Sequence, residues 1–129
     1  MSTVNARSLE SKLESLIDLF KNCGLSVCIV TETWIKSNHS RIKEELLFGN
    51  NIDIISCNRA GNKRGGGVSL TFDCGLVKLT ENKFKKEGHE VISAVGNILG
   101  EKRKLVIYGI YLPPNLQRAK VKNLSLIHI

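Results

Sequence analysis

The chain is 129 residues long, 42% hydrophobic, 24% charged and only 5% aromatic, which fits one globular domain or part of one, able to bury roughly two-thirds of its unfolded surface without disulfides or structural metal. No apolar run approaches the ~20 residues of a membrane span, and Met1-Ser-Thr-Val-Asn-Ala-Arg7 lacks an apolar signal segment, so an intracellular protein, nuclear or cytoplasmic, with no membrane partner is expected. Nineteen Lys and Arg against twelve Asp and Glu leave a net charge of +7, which favours polyanionic partners such as nucleic acid without specifying one.

Leu9, Leu13, Leu16, Ile17 and Phe20 share one helical face, predicting a helix from Ser8 to Lys21 with Ser8 as N-cap and Gly24 beyond its end. The continuous β-branched run Ser26 to Thr31 reads as a strand buried on both faces. A second helix is expected from Ser40 to Phe48, stopped by Gly49. Strand signals follow at Ile52 to Cys57, Gly67 to Phe72, Leu76 to Leu79, Val91 to Leu99 and Leu105 to Tyr111. The last two flank a short charged loop, Gly100 to Lys104, and should pair antiparallel; Pro113-Pro114 then closes the strand. Helix, strand, helix and a succession of strands argue for a layered α/β or α+β fold.

Cys23, Cys28, Cys57 and Cys74 form no CxxC pair and no zinc-ligand spacing, so reduced and mostly buried thiols are expected. His39, His89 and His128 share no motif. Gly65-Gly66-Gly67 lacks the spacing of a phosphate-binding P-loop and precedes a strand, where it would provide a sharp entry and a close backbone approach. Arg59, Lys63 and Arg64 surround that loop; in a DNA-binding nuclease they would contact phosphates, with a solvated loop as the equal alternative. The clusters Lys83, Lys85, Lys86 and Lys102, Arg103, Lys104 read as solvated turns, and Trp34 and Ile35 as packing residues. Glu32 stands at the C-terminal end of a buried strand, a position from which a carboxylate can bind a metal ion or serve as a base, although spacing alone favours a solvated glutamate leaving the sheet.

Five pieces, Asn5-Ala-Arg-Ser-Leu9 with Lys12, Thr31-Glu-Thr-Trp-Ile35, Arg59, Arg64-Gly-Gly-Gly-Val68 and Tyr108-Gly-Ile-Tyr-Leu-Pro-Pro114, occur in an order and spacing that resembles one family. It is the apurinic-endonuclease-like domain of non-LTR, LINE-type retrotransposon polyproteins, within the endonuclease/exonuclease/phosphatase superfamily. The resemblance covers about residues 4 to 118. It implies part of a DNase I-like two-sheet α/β sandwich and a Mg²⁺-dependent phosphodiester hydrolase that nicks DNA, with no small-molecule cofactor.

Carried over by position, the resemblance makes Glu32 the metal-binding carboxylate, Asn5 part of the metal and phosphate network, and Tyr111 the active-site tyrosine near the scissile phosphate. The family's later Gly-Asp-Phe-Asn-like and Ser-Asp-His-like motifs do not occur here, so residues 4–122 are expected to be the N-terminal half of the domain and inactive alone. The short Met1 to Val4 run predicts a curtailed first strand. The tail, residues 123–129, matches nothing in the family, resembles read-through of a sequencing adapter and is left out of the fold reading. Readings from other classes are a non-catalytic basic nucleic-acid-binding module and a non-functional retrotransposon relic.

Overall fold

A computed structural model of the chain describes residues 1–36, 38–57, 66–81, 90–111 and 124–128, with backbone alone at Glu90, Tyr111 and Leu124–His128. These residues form a mixed α/β structure of two four-stranded sheets and two helices. The first sheet is built from β1 (Ser2–Asn5), β2 (Val27–Thr31), β3 (Ile52–Cys57) and β4 (Val68–Asp73), in the order β1-β2-β4-β3. The second contains β5 (Val77–Glu81), β6 (Glu90–Ile98), β7 (Lys104–Tyr111) and β8 (Leu124–His128), in sequential order. β1 and β2 run parallel, joined by a 3-10 turn (Glu10–Lys12) and α1 (Leu13–Asn22); α2 (His39–Leu47) links β2 to β3.

Strand alternation explains why β2 is apolar on both faces. Cys28 and Val30 pack beneath Leu13, Leu16 and Phe20 of α1 and Ile42 and Leu46 of α2. Val27 and Ile29 point the other way, joining Val68, Leu70 and Phe72 of β4 in a second core with Leu79, Ile92, Leu105 and Ile107 of the facing sheet. The first sheet is therefore covered by helices on one side and by the second sheet on the other. Each fully buried aliphatic side chain contributes roughly 1.5–3 kcal/mol of transfer free energy to these layers.

Two local features, at Ser8 and at Leu124–His128, depart from the sequence reading. Ser8 does not cap a helix: it lies at φ 90°, its N–H donates to the Glu32 carbonyl, and the helical chain enters through the 3-10 turn before α1 begins at Leu13. β1 alternates half-buried and exposed residues at one edge of the first sheet, the short strand expected there. Leu124–His128 pairs antiparallel with β7, Ile107 opposite Ile127, where the sequence reading drew no strand. The β6–β7 hairpin forms in the expected orientation, with Glu90 opposite Tyr111 and Asn97 opposite Lys104. α2 ends at Leu47, with Gly49 left-handed at φ 73° and the Asn50 and Asn51 N–H groups returning to the Leu47 carbonyl.

The cysteines are all free, as expected, but only Cys28 is buried; Cys57 and Cys74 are half-buried and Cys23 is exposed. Burial pushes the Cys28 thiol from 9.0 up to about 11, because its thiolate would have to form without water. A folded-state value above the unfolded one means that the folded chain holds its proton longer. Stability linked to Cys28 is thus fully present below pH 9 and is lost as pH rises toward about 11. Urea midpoints measured from pH 8 to 11 should fall more steeply for the wild type than for Cys28→Ala; parallel curves would refute this.

Candidate functional site

Parallel pairing brings the C-terminal ends of β1 and β2 to the same edge of the first sheet, with Asn5 opposite Thr31. The ladder continues past both strands: the N–H groups of Ala6, Ser8 and Leu9 donate to the carbonyls of Thr31, Glu32 and Thr33, each at 2.9 Å. On the other flank, the Trp34 N–H donates to the Gly66 carbonyl at 3.0 Å and the Thr33 N–H to the Gly67 carbonyl at 3.4 Å. Residues 32–34 are therefore held from both sides, by the chain after β1 and by the chain before β4.

The same edge concentrates unusual backbone. Arg7, Ser8, Glu32 and Trp34 have φ of 47°, 90°, 57° and 53°, and Gly66 and Gly67 lie at 73° and 91°. Left-handed conformations at non-glycine residues cost on the order of 1–3 kcal/mol each and persist where surrounding contacts fix them. Here the flanking hydrogen bonds provide that constraint. The glycine run acts as the sequence suggested, turning sharply into β4 and approaching its neighbour closely: a Cβ on Gly67 would collide with the Thr33 hydroxyl. That hydroxyl is buried and, among the described residues, has no hydrogen-bond partner.

Glu32 is half-buried at the first position beyond β2, and the Trp34 indole N–H donates to its Oε2 at 2.8 Å. Trp34 is 41% exposed while Ile35 is 5% exposed, so of the two residues expected to pack, only Ile35 does so. No sequence signal marks this pair, because both residues are left-handed and the same-side rule for residues two apart in extended chain does not apply to them. Asn5 is exposed at the end of β1, and Arg7 and Lys36 are exposed in the segments that follow Asn5 and Glu32. A second polar contact lies nearby: Glu10 pairs with Arg41 and accepts from the Asn38 amide at 2.8 Å, tying the 3-10 turn to α2.

The second sheet brings Tyr111 toward this end. β4 leaves through the turn at Cys74–Leu76 into β5, which pairs with the far end of β6, placing the hairpin at Gly100 away from Glu32. β7 then runs back, and Gly109 lies over β2 and β4, where a Cβ would come 3.1 Å from Ile29 Cγ2 and 3.5 Å from Val68 Cγ2. Val68 pairs with Thr31, and Tyr111 follows Gly109 by two residues. The backbone thus brings Asn5, Glu32 and Tyr111 to one end of the two sheets. Arg59, Lys63 and Arg64 lie outside the described residues.

Among the described residues no group of three His, Cys, Asp or Glu side chains converges as a metal cage. Glu32 and Asn5 offer hard oxygen donors on adjacent strand ends. Such a sparse set fits Mg²⁺, which keeps much of its water and commonly takes one or two carboxylates together with substrate phosphate oxygens. A cavity of about 80 Å³ beside Asn5, lined mainly by Val4, Leu9, Leu16 and Leu19, has room for a few waters but no nucleotide. No helix among the described residues is long and apolar enough to cross a membrane. No family model matches the chain, and no curated protein matches it.

Proposed function

We propose that residues 4–122 are the N-terminal half of a Mg²⁺-dependent DNA endonuclease domain of the non-LTR retrotransposon type, with a DNase I-like sandwich fold. The observation that carries this reading is the placement of Glu32 at the end of β2 beside the end of β1, in a segment whose backbone is held by hydrogen bonds on both flanks. Glu32 would hold the cation, Asn5 would support the metal and phosphate network, and Tyr111 would lie near the scissile phosphate. When bound, Mg²⁺ would neutralise phosphate charge in an in-line hydrolysis. The chain's own contribution is to fix a carboxylate and present an exposed polar edge to DNA. Arg59, Lys63 and Arg64 are proposed phosphate contacts, adding salt-dependent affinity without base readout.

The test is fluorescence-anisotropy titration of duplex DNA with and without Mg²⁺. Mg²⁺ should tighten binding by the wild type several-fold and have no such effect on Glu32→Ala, while plasmid nicking stays at background because the later aspartate and histidine motifs are not in this sequence. DNA binding that ignores both Mg²⁺ and Glu32→Ala would refute the reading. It would favour a basic nucleic-acid-binding module, the alternative that the net charge of +7 supports.

A further inference from the structure

We infer that Trp34 is a positioning residue for the Glu32 carboxylate: its indole N–H holds Oε2, so that Oε1 is presented to a divalent cation in one orientation. The inference rests on the reading of Glu32 as a metal-binding carboxylate and adds to it the residue that orients that group. Three observations point the same way. The Nε1–Oε2 distance is 2.8 Å, within the range of a charge-assisted bond. Both residues have left-handed backbone, at φ 57° and 53°, an arrangement extended chain would not adopt without constraint. The Trp34 N–H to Gly66 carbonyl bond, 3.0 Å, anchors the donor's backbone to the chain entering β4, while the Ser8 N–H anchors the Glu32 carbonyl.

Trp34 lies outside both cores, 41% exposed while its neighbours Thr33 and Ile35 are 1% and 5% exposed, so core packing does not set its placement. A glutamate without such a partner samples several rotamers about its three side-chain torsions, and a cation must stop that motion in order to bind. The indole N–H has already done so, with a donor that cannot itself ligate a cation. Partners that orient a metal ligand typically change affinity by tenfold or more when removed.

Trp34 is the one tryptophan in the chain, so its indole reports on this contact without ambiguity. Calorimetric titration of the full chain with Mg²⁺ should give about tenfold weaker binding for Trp34→Phe than for the wild type, at an unchanged thermal unfolding midpoint. Glu32→Gln, which retains an acceptor for the indole but loses the charge, should abolish binding. In ¹H–¹⁵N spectra the single indole cross-peak should be displaced from its unfolded-chain position and should move again on adding Mg²⁺.

Wild-type affinity in a folded Trp34→Phe, or an indole peak at the unfolded-chain position in the folded wild type, would overturn the inference and leave Glu32 as ligand. Absence of Mg²⁺ binding by the wild type, or undiminished binding by Glu32→Gln, would overturn the metal-binding reading and this inference with it.

Discussion

Replacing Gly96 with alanine is expected to lower the stability of the folded chain by about 3 kcal/mol, at the upper end of the usual cost of forcing an extra carbon into a packed site. β5 and β6 approach so closely at the Leu79–Gly96 pair that an added Cβ would run into the Lys78 carbonyl oxygen. It would also lie 2.7 Å from the Lys78 carbonyl carbon and 2.9 Å from Leu79 Cα. All of these are backbone atoms, so no rotamer change relieves the contact. The flanking pairs Lys78–Asn97 and Thr80–Val95 hold the register, leaving separation of the strands as the available response. That movement would draw Val77 and Leu79, now 3% and 8% exposed, out of the core between the sheets. Urea denaturation followed by circular dichroism measures the loss; an unchanged midpoint would show that the strands separate at little cost.

Gly67→Ala acts at the site edge and is expected to cost about 3 kcal/mol, from two separable sources. Alanine would have to adopt a φ of 91°, and its Cβ would meet the Thr33 hydroxyl. A double-mutant cycle with Thr33→Ala distinguishes the two. In that background the contact disappears and the remaining penalty should fall to about 1–2 kcal/mol, the conformational part alone. Equal costs in both backgrounds would remove the contact from the explanation. Because Gly67 and Gly66 accept the N–H groups of Thr33 and Trp34, the single variant should also broaden the Trp34 indole resonance, a local effect that Gly96→Ala should not share.

Much of the fold could be read because its signals are periodic and local. The helical stripe through Leu13, Leu16 and Phe20 is the stripe buried under the first sheet, and the continuous apolar run of β2 anticipated a strand with cores on both sides. β3 was bounded at Ile52 and Cys57, and the charged loop after Leu99 predicted the hairpin that forms. Pairing between elements distant in sequence was not legible: nothing in Ser2–Asn5 alone specifies β2 as its neighbour, and Leu124–His128 lies too far along the chain from β7 for a short hairpin turn to announce the pair. Ser8 misled because a capping residue and a residue bonded across to Glu32 have the same identity. At the site, Glu32 was identifiable as a carboxylate at a strand end. The part played by Trp34 depends on two left-handed residues whose conformation is imposed by residues 8 and 66, and composition carries no trace of that.

The two flanks that hold residues 32–34 differ in when they can form. Ser8 and Leu9 precede the segment and can pair with it as soon as β2 has been synthesised, across the local β1–α1–β2 crossover. Gly66 and Gly67 lie beyond α2 and β3, so closing the second flank carries the larger loop entropy and waits for β4. On a growing chain, Glu32 thus leaves the ribosome well before the residues that complete its setting. A chain arrested before β4 would carry the carboxylate on a segment tethered from one side, with an ordering cost still to be met by any cation it bound.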